Sequence, residues 1–184
     1  ALRVASIEEM LDVAYLCSIA PLPPVASAGI VSVSGGIGVL MADACVESGL
    51  DVPPLSTQSL GEIHAVQPMA GGRNPVDPTA QLAGRLHVIE TISQSMMHGA
   101  DLGALMFYLA HLGRDMRRYP KIEGAFLALR RNQPDRTVVA VMTHIDEVRQ
   151  QLEAMGVPVF EDPTRAVRAV AGAARLRRLQ AEAQ

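Results

Sequence analysis

The stretch from Ala28 to Ala44 constrains the fold of this chain more than any other. A short apolar run rich in Ile and Val enters it, which predicts a parallel strand buried on both faces. The run breaks at Ser34-Gly35-Gly36-Ile37-Gly38, where three glycines remove the side chains that would block close backbone approach. Beyond Gly38 the spacing turns helical, with Val39, Leu40, Ala42 and Val46 expected to share one face. Strand, glycine turn and helix start together favour an anion, because unpaired amides and the helix dipole converge on the turn. Ser34, Gly35, Gly36, Ile37 and Gly38 are therefore the candidate residues for holding a phosphate or carboxylate. The loop is not a Walker A motif, since no Gly-Lys-Ser/Thr follows. It also departs from G-x-G-x-x-G, and Asp51 comes too early for a ribose contact. The same glycines also suit a plain packing turn, which open α/β sheets need with or without a ligand.

The rest of the chain alternates helix and strand around that unit. Ser6 reads as an N-cap with Glu8 and Glu9 in the first turn of a helix that stops before Pro21-Leu22-Pro23-Pro24, a stiff extended connector. Asp51 to Leu55 can hold only a short edge strand, because Pro53 and Pro54 cannot donate to a ladder. Ser56 opens a modest helix to about His64, and a longer helix is expected from about Thr79 to His98. Between them, Pro68 to Pro78 is an irregular loop punctuated by glycines, Asn-Pro and Asp-Pro. Leu102–Leu109 and Arg136–Thr143 read as central strands, with helices over 121–132 and 146–155 and a last edge strand at 157–160. Gly156 is the residue expected after a helix end, and Asp162-Pro163 opens the final helix. The pattern implies a three-layer, doubly wound, mostly parallel α/β sheet of flavodoxin-like order over residues 25–184, with residues 1–24 as an N-terminal helix and proline-rich connector.

Composition narrows the function. Of the 184 residues 49% are hydrophobic but only 3% aromatic, so the core is aliphatic, and a net charge of −3 argues against nucleic-acid binding. No targeting segment and no long apolar span is visible, so a cytoplasmic protein without a membrane partner is expected. Cys17 and Cys45 form no metal-like or redox-like pair and read as buried thiols. His64, His87, His98, His111 and His144 fall in separate elements without metal-ligand spacing, so no metal site is expected. His111 and His144 follow strands at the carboxyl edge, where ligands bind in such sheets. Thr143-His144-Ile145-Asp146 reads as a helix cap. Arg175-Leu176-Arg177-Arg178 reads as a helix end whose cations suit the dipole. The chain thus offers a binding loop without catalytic residues of its own.

Several ordered pieces together resemble one family. They are Ser6 to Asp12, Ile30 to Gly38 followed by Asp43, Gly49-Leu50, Asn74-Pro75-Val76-Asp77, Leu105 to Leu109, and Gly156 to Phe160 with Ala166 to Ala169 behind. In that order they resemble the NDP-forming acyl-CoA synthetases, the group of ADP-forming acetate–CoA ligases and succinyl-CoA synthetases. The match is to the flavodoxin-like ligase module that follows the phosphohistidine domain. The resemblance implies an acid–thiol ligase working through an acyl phosphate and a phosphohistidine. It gives Ser34 to Gly38 the role of a helix N-terminus facing the phosphoryl group, with Asn74 and Asp77 shaping the neighbouring loop. The family's Ser-His-Thr-Gly motif, its CoA-binding domain and its ATP-grasp domain are missing from this sequence. The chain is therefore expected to be one domain of a larger ligase, inactive alone. Its partners would be the CoA-binding, phosphohistidine and ATP-grasp domains and a second copy in a homodimer. It would bind no cofactor alone, while CoA, ATP or ADP and Mg2+ would serve the full enzyme. A stand-alone flavodoxin-like module that binds or senses a small anion is the alternative.

Overall fold

The computed structural model describes residues 1–79, 88–115, 117 and 119–183. In chain order the elements are α1 (Ile7–Ile19), β1 (Ala28–Ser32), α2 (Gly35–Glu47), α3 (Thr57–Val66), α4 (Val88–Gly99), β2 (Ala104–Gly113), α5 (Tyr119–Asn132), β3 (Thr137–His144), α6 (Asp146–Ala154), β4 (Val159–Phe160) and α7 (Pro163–Glu182). The four strands form one parallel sheet in the order β1-β2-β3-β4. Beyond β1, the expected edge strand is reduced to a single parallel bridge between Ser27 and Asp51, next to the two prolines that cannot extend a ladder. With that bridge, the order is the flavodoxin-like one.

Successive strand residues point to opposite faces, and the core divides accordingly. Ile30, Met106, Val139 and Val141 pack under α1, α2 and α7, whereas Val31, Phe107 and Val138 pack under α3 to α6. Phe107 and Phe126 meet edge-on at 5.2 Å between ring centres on the second face. Burial of each such side chain contributes about 1.5–3 kcal/mol.

The N-terminal segment, residues 1–24, is bound to the first helical layer. Arg165 donates to both carboxylate oxygens of Asp12 at 2.9 and 2.7 Å, and Arg175 donates to Glu9 at 2.7 Å. Tyr15 donates to Glu153 at 2.6 Å and meets the Phe160 ring edge-on at 5.4 Å. Gly172 permits this packing, since a Cβ there would run into Val13.

Four sequence expectations change. The inward face of α2 is Gly38, Met41, Ala44 and Cys45, while Val39, Leu40 and Val46 are exposed. Proximity to the alanine-rich face of α7 selects small and flexible residues for the contact and turns the branched ones outward. Thr79 does not begin a helix, because its φ is +66°; α4 is described from Val88, and the intervening part of that expectation lies outside the described residues. Strand β2 runs on to Gly113, past a register shift at Ala110, whose φ is +52°. Helix α7 continues to Glu182 with no basic residue in its last turn, so Arg175, Arg177 and Arg178 lie too far back to complement its dipole.

Candidate phosphate-binding cleft

The candidate loop closes the carboxyl end of β1. Ser32 Oγ donates to the carbonyl of Ser34 at 2.6 Å and accepts from the Ser34 amide at 3.2 Å, which fixes the turn before the helix begins. Ser34 is the N-cap of α2 in extended conformation, and its side chain makes no capping bond. The first helical bond runs from the Gly38 amide to the Ser34 carbonyl at 2.9 Å. The amides of Gly35, Gly36 and Ile37 are thus first-turn donors with no acceptor among the described residues. Gly35 and Gly36 are exposed.

The opposing wall is the loop Gly71–Asp77, held to β1 as a short extra strand. Val76 donates to Ile30 O at 2.8 Å, and its carbonyl accepts from Ser32 N at 3.0 Å. Asn74 accepts from Ile30 N at 3.0 Å and donates to Ala28 O and Pro53 O at 2.9 and 3.0 Å. Its side chain therefore replaces the ladder partner that Pro53 and Pro54 cannot supply. The Asn74–Pro75 peptide is cis. Gly72 has a φ of +83°, and a Cβ there would strike the Pro75 carbonyl. Gly71 and Asp77 exchange backbone hydrogen bonds of 2.8 and 2.9 Å, and Asp77 Oδ1 accepts from Thr79 N at 2.7 Å.

Between loop and helix lies an open cleft of about 390 Å³, lined by Ser32, Gly35, Gly38, Val39 and residues 71–77. The structure thus brings Gly35 and Gly38 together with Asn74 and Asp77, as the sequence reading expects of a neighbouring loop. The glycines differ in what they permit. A Cβ on Gly38 would sit 3.3 Å from both Pro75 Cβ and Ser32 Cβ, and one on Gly35 would sit 3.2 Å from Asp77 Oδ2. A Cβ on Gly36 would meet nothing within 4 Å. Neither Gly36 nor Gly38 has a positive φ, so neither is required for backbone strain. Charge in the cleft is mixed: the positive end of α2 faces the Asp77 carboxylate, and Arg73 is exposed at the mouth.

Sequence reasoning did not single out Ser32, Gly72 or Arg73. The signal for Ser32 was a polar residue ending an apolar strand, and for Gly72 a glycine beside Asn-Pro.

The other candidate chemistry stays dispersed. His111 Nδ1 lies 3.0 Å from Thr143 Oγ1, His144 Nε2 lies 3.9 Å from Glu161, and His64 Nε2 lies 3.1 Å from Ala70 O. His87 lies outside the described residues. Among the described residues no group of three or more His, Cys, Asp or Glu could hold a metal ion. Ile145, not a side-chain acceptor, caps α6. Both cysteines are free; burial pushes the Cys45 thiol up to about 12 and raises Cys17 as well, which removes thiolate character at neutral pH. Among the described residues no helix is long and apolar enough to cross a membrane.

No protein-family model matches the chain. Over 172 residues it is 27% identical to the alpha subunit of acetate–CoA ligase [ADP-forming] I of Pyrococcus furiosus, covering 92% of this chain and 37% of that protein. The alpha subunit of isoenzyme II from the same organism is 26% identical over 163 residues, with 86% and 35% covered. PH0766 from Pyrococcus horikoshii superposes with a TM-score of 0.77 at 23% identity, over 93% of this chain and 40% of that one. The dinucleotide-forming acetyl-coenzyme A synthetase 1 of Ca. Korarchaeum cryptofilum, solved in complex with phosphate and ADP, gives a TM-score of 0.76 at 19% identity, over 98% and 40%. The chain spans little more than a third of the curated relatives it matches. Over nine-tenths of its own length, it is similar to a domain-sized portion of ADP-forming acetate–CoA ligase alpha subunits.

Proposed function

We propose that this chain is the flavodoxin-like ligase domain of an NDP-forming acyl-CoA synthetase, and that the start of α2 stabilises the phosphoryl group in transit. The open first turn of α2 carries this reading. It starts at the cleft lined by Gly35 and Gly38, and nothing among the described residues accepts from the amides of Gly35 to Ile37. Similarity to the ADP-forming ligase subunits supplies the reaction class.

A helix N-terminus contributes about 0.3–2 kcal/mol towards an anion, whereas millimolar affinity needs about 4 kcal/mol. The loop therefore acts on a group delivered by a tethered partner domain, where effective concentration replaces intrinsic affinity. In this division of labour the phosphohistidine supplies the transferable phosphoryl group. Ser32 and Ser34 hold the turn, the amides of Gly35 to Ile37 donate to phosphoryl oxygens, and Asn74 keeps the facing loop in register. CoA, ATP or ADP and Mg2+ are handled by the CoA-binding and ATP-grasp domains. The exposed Val39, Leu40 and Val46 on α2, and Ile7, Met10 and Leu11 on α1, are the faces offered to those domains and to a second copy.

The test is phosphohistidine formation from nucleotide in the intact enzyme carrying Gly36→Val. Because that position is sterically open, the variant melts like the parent. Its side chain covers the amides, and loss of an oriented donor lowers the rate about a hundredfold to a thousandfold. A parental rate with normal melting would reduce the loop to a packing turn.

A further inference from the structure

The arginines that the dipole of α7 leaves unexplained line a groove near the amino end of β1. It lies beside Pro23–Ala26, before β1, and beside Gly49, after α2, whereas the candidate phosphate cleft follows the carboxyl end of β1. Its volume is about 450 Å³. The floor is apolar and built of small residues: Ala171, Ala174 and Ala181 of α7 face Pro23 and Pro24. The rim is Arg175, Arg177 and Arg178, and no acidic residue lines the groove.

The three guanidiniums are not equally committed. Arg175 is held by Glu9 at 2.7 Å, yet its buried Nε finds no acceptor among the described residues. Arg178 lies 3.8 Å from Glu182, with both side chains more than 60% exposed, a pairing worth little in water. Arg177 is exposed and has no ionic partner among the described residues. Two planar, permanently charged forks are thus available above an apolar floor. A single carboxylate would leave one of them unmatched, and a bare inorganic anion would leave the floor unused. Guanidinium forks bind phosphate oxygens in pairs, and the volume falls in the range of small-molecule sites.

We propose that this groove is a second binding site, for a phosphate ester whose phosphate engages Arg177 and Arg178 and whose apolar body lies on the alanine–proline floor. The site is independent of the reading given to the α2 loop. The experiment is a titration of the 15N-labelled 184-residue chain with phenyl phosphate, with inorganic phosphate and phenol as separate arms, and with the double variant R177A/R178A. Phenyl phosphate is expected to shift the amides of Val25, Ala26, Gly49 and residues 171–181 saturably. Inorganic phosphate and phenol each bind there at least tenfold more weakly, and the double variant loses at least tenfold in affinity with unchanged melting. Shifts confined to Ser34–Gly38, equal binding by the double variant, or equal binding of inorganic phosphate would overturn the proposal. Displacement of phenyl phosphate by a Glu-rich peptide of higher affinity would also overturn it and assign the groove to an acidic protein segment.

Discussion

Helices α2 and α7 lie on the same face of the sheet, and each begins just past the carboxyl end of a parallel strand, yet their first turns are finished differently. At α7, Asp162 Oδ1 accepts from Arg165 N at 2.8 Å, and Pro163 removes one donor altogether. Asp12 then accepts from Arg165 Nε and Nη2, and α1 covers the corner. At α2 the N-cap is Ser34, whose hydroxyl caps nothing, and two exposed glycines follow. Helices α1 and α3 are also capped by serines, Ser6 onto Glu9 N and Ser56 onto Ser59 N, at 3.0 and 3.1 Å. A hydroxyl at this position is therefore able to cap, and at α2 it does not. A capped turn gains stability; an uncapped one keeps its donors for something outside the chain.

The comparison can be broken most severely at the wall facing α2. Gly72→Ala places a Cβ against the Pro75 carbonyl at a φ of +83°, so the 71–77 loop must rearrange. A loss of about 1–3 kcal/mol, the cost of a strained backbone position, is expected by chemical denaturation. Asp162→Ala removes the α7 cap and should cost about 1 kcal/mol in the same assay, without affecting the open end of α2.

A smaller effect sits where α1 closes on α7. The Ala5 amide, donating to Glu9 Oε2 at 2.7 Å, and then Arg175 hold the Glu9 carboxyl below the usual carboxylate range. Because the folded pKa is the lower one, this stabilisation is complete above the unfolded value and is lost as pH falls through the folded one. Glu9→Gln should therefore cost about 0.5–1 kcal/mol at pH 7, and the gap to the parent should shrink as the pH is lowered below 4.

What the sequence made legible follows from the range of the interactions involved. The helix starts at Ser6, Ser56 and Asp162 rest on bonds to residues three positions away, and the structure has its N-caps at all three. The glycine turn after β1 was equally local. The buried face of α2 was not, because it is set by how closely α7 approaches, and periodicity alone favoured Val39 and Leu40 over Gly38 and Cys45. Asn74 was recognisable as part of a motif, but its three bonds reach back 21 to 46 positions, to Pro53, Ile30 and Ala28, and only the fold reveals them. The arginines of α7 look like a helix end in the sequence because nothing local stops the helix after them; the residues that follow are polar and helix-prone, and α7 runs on to Glu182.

Ser34→Asp in the intact enzyme would finish α2 as α7 is finished, and so sets the role of the open first turn against its stability. An aspartate at the N-cap can accept from the free first-turn amides and places a negative charge where the phosphoryl group would lie. The account predicts a protein more stable by about 0.5–1 kcal/mol whose phosphohistidine formation falls at least a hundredfold. A variant that gains this stability and phosphorylates at the parental rate would contradict it, since the amides of Gly35 to Ile37 would then be dispensable.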